Sequence, residues 1–144
     1  MSMYKQFKTD EQLETDGIVV NYGDFRVTLA RAGGGNKRFA KSLEALTRQH
    51  QKAIQMQTLS NEVADEILKT VYAKTIVRNW EIKVDDTWVQ GIENPVQGQP
   101  PLPFTEDNLL ATFAKLPELF KDLKAQAENF ALFRAALREE ATGN

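Results

Sequence analysis

The stretch NEVADEILKTVYAKTIVRNW, residues 61 to 80, constrains this chain more than any other. Val63, Ala64, Ile67, Leu68, Val71, Tyr72, Thr75, Ile76 and Trp80 fall on one wide apolar face when wound at 3.6 residues per turn. Ser60 stands where an N-cap belongs, and Leu59 precedes it as the hydrophobic residue of a staple. The pattern predicts a long central helix that must be covered by the rest of the chain.

What covers it follows from the flanks. Upstream, Ile18 to Val20 and Phe25 to Leu29 are β-rich runs split by Asn21-Tyr22-Gly23-Asp24, which signals a hairpin. Phe39, Leu43, Leu46, His50 and Ile54 then repeat at spacings of four, three, four and four, the stripe of a further helix. Downstream, Thr105 can cap a helix with Phe104 stapled to Leu109, and Pro117 suits the first turn of a last helix running to about residue 141. In that last helix Leu119, Leu123, Gln126, Phe130, Phe133 and Leu137 form a heptad-like seam.

The expected fold is mainly α (α+β): an N-terminal β-hairpin packed on a small bundle of about four helices. The 144 residues make a single domain, because neither end alone buries enough surface to fold. Within it, 1–16 is a polar arm, extended or mobile. Residues 17–93 hold the hairpin and two helices, 94–104 a Pro-rich loop, and 105–141 the C-terminal helices. A short strand pair is expected around Ile82 to Val84 and Trp88 to Ile92, across the Asp85-Asp86 turn. Pro100-Pro101-Leu102-Pro103 reads as a spacer rather than a polyproline ligand.

Composition narrows the chemistry. The chain is 42% hydrophobic and 26% charged, with no apolar run of membrane-spanning length and no secretory leader pattern, so a cytoplasmic protein is expected. It has no cysteine, and its single histidine, His50, lies on the edge of a helical stripe. Thiol nucleophiles, sulfur-ligated zinc and a histidine metal cluster fall away, and no nucleophile elbow accompanies His50. No cofactor and no metal is expected.

The stretch RAGGGNKRFAK, residues 31 to 41, resembles a phosphate cradle, because glycines let backbone N–H groups approach an anion before a helix start. It lacks the glycine spacing and the hydroxyl of a nucleoside-triphosphate loop, and no βαβ unit surrounds it. It reads as a joint between strand and helix with Asn36 as N-cap. The basic residues Lys37, Arg38, Lys41, Arg48 and Lys52 read as a solvated face, since the aromatic interleaving of single-strand binders is missing. Residues 1–56 carry nine Lys/Arg against six Asp/Glu, and 57–144 nine against fourteen, an asymmetry that permits pairing between copies. Binding or assembly is therefore expected over catalysis.

The order of motifs adds a resemblance. A hairpin ending in TLARAGGGNKRFAKSLEAL, a helix ending in VYAKTIVRNWE, a loop, and PFTEDNLLATFAKLPELFKDLKAQAENFALF together resemble tail assembly chaperones of long-tailed, siphovirus-like bacteriophages. The likeness runs from Phe7 to Leu137. It implies a non-enzymatic protein that binds the tape measure protein in the infected host's cytoplasm, keeps it soluble, helps recruit tail tube protein subunits, and is not expected in the mature virion. It carries over Arg31, Gly33, Asn36 and Phe39 around the glycine joint, with Trp80 and Glu81, as family-pattern residues of mostly structural role. Phe130, Phe133 and Leu137, with Trp88, are the candidate contacts to a partner or to a second copy. A structural tail or connector protein of the virion, and a nucleic-acid-binding accessory protein, are the competing classes.

Overall fold

A computed structural model describes residues 2–137, and the expected last helical turn at 138–141 lies outside the described residues. Two short helices, α1 (Met3–Phe7) and α2 (Glu11–Asp16), lead into strands β1 (Ile18–Asn21) and β2 (Phe25–Leu29). Helices α3 (Lys37–Arg48), α4 (Gln51–Gln55) and α5 (Asn61–Val71) follow, then a π turn (Tyr72–Ile76) and strands β3 (Val77–Val84) and β4 (Thr87–Gln90). Helices α6 (Glu106–Lys115) and α7 (Pro117–Glu128) and a 3-10 turn (Phe130–Phe133) come last among the named elements of the described residues.

The expected fold class is corrected here. The strands are not confined to an N-terminal hairpin but form one four-stranded antiparallel sheet in the order β1-β2-β3-β4. Its third strand comes from the segment expected to end the central helix. The α-helix stops at Val71, and Thr75, Ile76 and Val77 are β-branched, a type that loses rotamer freedom in a helix and fits a strand. Thr75 Oγ1 donates to the Val71 carbonyl, and the Ala30 N–H donates to Ile76 O, drawing the chain onto β2. Val27 then pairs with Trp80 and Phe25 with Ile82. Trp80, Ile82 and Val84 alternating with Glu81 and Lys83 carry the period-two signal that the longer helical pattern masks.

The β3-β4 hairpin matches the strand pair expected across Asp85-Asp86. Both aspartates have positive φ, 50° and 61°, the geometry that suits the twist of a two-residue hairpin loop.

The polar arm is also corrected. It holds α1 and α2, the latter capped by Asp10 Oδ1, which accepts from the Leu13 N–H at 3.0 Å. The arm is tied to the far end of the described chain: Asp10 N–H donates to Phe133 O and Ala135 N–H to Lys8 O, at 2.8 and 2.9 Å. The single helix expected from Lys37 through Ile54 breaks between α3 and α4 at Gln49-His50. There Thr47 Oγ1 back-bonds to Leu43 O and His50 N–H reaches only to Thr47 O.

Helices α3, α5 and α6 pack around the π turn that leads into β3, and α7 lies against β2. Leu29, Tyr72, Ile76, Phe113, Phe120 and Leu123 belong to one buried cluster there. Tyr72 meets Phe120 edge-on at 5.3 Å, and Phe39 of α3 reaches Tyr72 at 6.0 Å. Each large side chain so buried is worth about 1.5–3 kcal/mol. The caps expected at Ser60 and Thr105 both form, accepting from Val63 N–H and Asn108 N–H at 3.2 Å.

Candidate partner-binding groove

At one end of the inner sheet face a cleft of about 350 Å³ opens over Phe25, Trp80 and Ile82. Trp80 forms its floor, 3% exposed, with Phe25 lying parallel to it at 5.7 Å and Tyr22 stacked on Phe25 at 4.7 Å. One wall is the Pro-rich loop. Ile92 and Leu102 exchange backbone hydrogen bonds of 2.9 and 2.7 Å, closing the loop on itself. Gly91 lets the strands of that loop meet, since a Cβ there would lie 3.0 Å from Pro101 Cβ and 3.1 Å from Leu102 O. The other wall is the corner between α6 and α7, with Leu116 and Leu119. Asp24, Glu93 and Lys115 stand on the rim.

A cleft of this kind is an apolar surface with a few polar groups at its edge, the make-up of a binding site for side chains. Leu116 is 53% exposed although apolar and sits at its mouth. The Tyr22 hydroxyl donates to Asp122 Oδ2 at 2.5 Å, anchoring the hairpin turn to α7 and so holding the cleft's two sides together. Burial, reinforced by that carboxylate, pushes the Tyr22 phenol well above its ordinary value, so it stays a donor.

The glycine joint is already filled, by the chain's own carboxylate. Glu14, 2% exposed, forms an ion pair with Arg31 Nη1 and accepts from Thr9 Oγ1 at 3.2 Å. At Gly34, φ is +53° and a Cβ would run into Glu14 Oε2, so any side chain there is strained and must displace that carboxylate. Asn36 stands at the N-cap position of α3, but its side chain does not cap. Its Nδ2 donates instead to Arg31 O at 2.9 Å, bracing the same joint. Arg31, Gly33 and Asn36 thus belong to one structural joint, with Phe39 one turn into α3.

The other singled-out residues separate. Trp80 and Glu81 lie on opposite sheet faces: Trp80 inward, Glu81 outward in a 2.8 Å ion pair with Arg26. Trp88 is on that outer face too, with the Arg26 guanidinium 4.3 Å and Lys83 Nζ 5.5 Å from its ring centroid. The seam of the last helix does not exist as one face, because α7 ends at Glu128 and Asn129 caps a 3-10 turn through Ala131 N–H. Phe133 is fully buried in that turn, Phe130 stacks on Phe7 at 5.6 Å, and Leu137 is half-buried beyond it. Sequence reasoning passed over the groove walls, Ile92, Leu102 and Leu116, which only the closure of the loop brings together.

Among the described residues no group of three or more His, Asp or Glu side chains is placed to hold a metal, and no helix is long and apolar enough to cross a membrane.

Sheet, helical cover and open groove define a small α+β protein with a solvent-facing apolar cleft. Over residues 34–144 the sequence matches the YdaY prophage protein family, and the chain belongs to that family. It is a phage-derived protein. No curated protein and no solved structure matches the chain.

Proposed function

We propose that this prophage protein is a tail assembly chaperone that acts by binding and not by catalysis. It holds the tape measure protein soluble in the cytoplasm of the infected host and helps recruit tail tube subunits. The reading rests on the motif order that resembles tail assembly chaperones and on the phage origin of the family. The observation that carries it is the apolar groove over Trp80. A tape measure protein is expected to be long and helical, with apolar rows that would aggregate if left uncovered. An amphipathic helix binds by setting side chains at i, i+3 and i+4 into an apolar groove, and Phe25, Ile82, Leu102, Leu116 and Leu119, none of them fully buried, supply such a surface above the buried Trp80 and Ile92. The contact is thereby moved from Phe133, which is buried, to the cleft.

Expression of the prophage's tape measure protein with and without this chain tests the reading. The long protein is expected in the insoluble fraction alone and in a defined soluble complex when the chain is present. Equal solubility in both cases would overturn it.

A further inference from the structure

Helix α1 carries apolar side chains that the fold does not cover. Met3, Tyr4 and Phe7 are 71%, 70% and 62% exposed and lie at i, i+1 and i+4, on one side of the helix. Phe7 is engaged on one ring face by Phe130, while Met3 and Tyr4 stay largely exposed. Lys5 and Lys8 are the charges of this segment, and both are exposed.

We infer that α1 of one copy of this chain seats Met3 and Tyr4 in the groove of a second copy. Size agrees: a cavity of about 150 Å³ takes one benzene ring, so the groove's 350 Å³ has room for two side chains of this bulk. Charge agrees as well. The rim carries Asp24 and Glu93 against Lys115, a net negative edge, and Lys8 just past α1 would bring positive charge to it, while Lys5 points away from the Met3–Tyr4 face. The chain cannot fill its own groove. Leu116, at the mouth, precedes α7, whose twelve residues span about 18 Å at 1.5 Å per residue. Phe7 is held by Phe130 just past the other end of α7. Donor and acceptor surfaces are therefore different patches at separate places, and the contact is head-to-tail, able to close into rings or run on as filaments. It shares the groove proposed above for the tape measure protein, so that protein would have to displace α1, but the self-contact does not require the chaperone reading.

Light scattering behind size-exclusion chromatography tests this on the full chain with Tyr4→Asp and Leu116→Asp, both at exposed positions, after circular dichroism has verified that each variant melts like the wild type. The wild type should be heavier than 16.3 kDa, and each variant alone should be a monomer. Mixed in equal amounts, the two should form a heterodimer, because one keeps an intact groove and the other an intact α1. A monomeric wild type, variants that keep the wild-type mass, or a mixture that stays monomeric would each overturn the inference. Tyr4→Asp should still solubilise the tape measure protein, which separates failure of this contact from failure of the chaperone reading.

Discussion

Phe25 lies flat against Trp80 across the β2-β3 pair, their planes 8° from parallel. The contact joins the hairpin readable near the start of the chain to a strand that the helical pattern conceals. It also makes the floor of the groove, so the fold and the candidate site depend on the same register. Phe25→Ala should remove the ring–ring contribution, about 0.5–1.5 kcal/mol, together with buried area, and lower affinity for an apolar partner helix. Denaturant unfolding and a binding titration on the same variant measure the two effects.

The glycine joint gives a sharper expectation. Gly34→Ala should destabilise the chain by about 1–3 kcal/mol, because alanine at φ +53° is strained and its methyl would displace the Glu14–Arg31 pair. The same filling predicts that inorganic phosphate titrated to high concentration leaves the amide signals of Gly34 to Arg38 unchanged. Saturable shifts would mean that the loop accepts an external anion after all.

Phe133→Ala should cost about 3–5 kcal/mol, the usual loss for a fully buried ring. Phe133→Asp should leave no cooperative thermal transition. A folded Phe133→Asp chain that had lost only its partner would return this residue to the binding surface.

Trp88 is the contrasting aromatic. Its ring is half-exposed on the outer sheet face beneath Arg26 and Lys83, so Trp88→Ala should remove about 0.5–1 kcal/mol of cation–π attraction. Partner binding should be untouched, since the groove opens on the other face. A pull-down that loses the tape measure protein on this substitution would place the contact on the wrong side of the sheet.

Alkali should weaken the fold in a defined window. Burial raises the phenols of both Tyr72 and Tyr22, with Glu128 and Asp122 respectively adding to the effect, so the folded state favours their neutral forms. Unfolded tyrosines ionise at about 10. The stability held in these two groups is therefore full below about pH 10 and is lost as pH rises above it. Denaturation midpoints measured on either side of that value should fall in the wild type and fall less in Tyr72→Phe.

How much of this was legible depends on how local each cause is. The caps at Ser60 and Thr105, the turn at Asp85-Asp86 and the first hairpin follow from neighbours within a few residues, and the sequence shows them. The switch from helix to strand at Tyr72–Ile76 does not, because residues 61–80 satisfy a helical stripe and only pairing with β2 decides against it. The last helix fails for the same kind of reason. Its heptad spacing continues past Glu128, while the chain bends at Asn129 to meet Thr9 and Asp10 from the other end of the described residues. The groove was the least legible of all. Trp80 was singled out, but Ile92, Leu102 and Leu116 carry no shared pattern and meet only when the loop closes.

The most direct measurement is site-specific photo-crosslinking during co-expression with the tape measure protein. A photoreactive residue replaces Leu116 at the groove mouth in one strain and Arg26 on the outer sheet face in another. The account predicts a crosslink to the tape measure protein from position 116 and none from position 26. Crosslinking from position 26 alone, or from neither while the complex still forms, would contradict the groove as the binding site proposed for this chain.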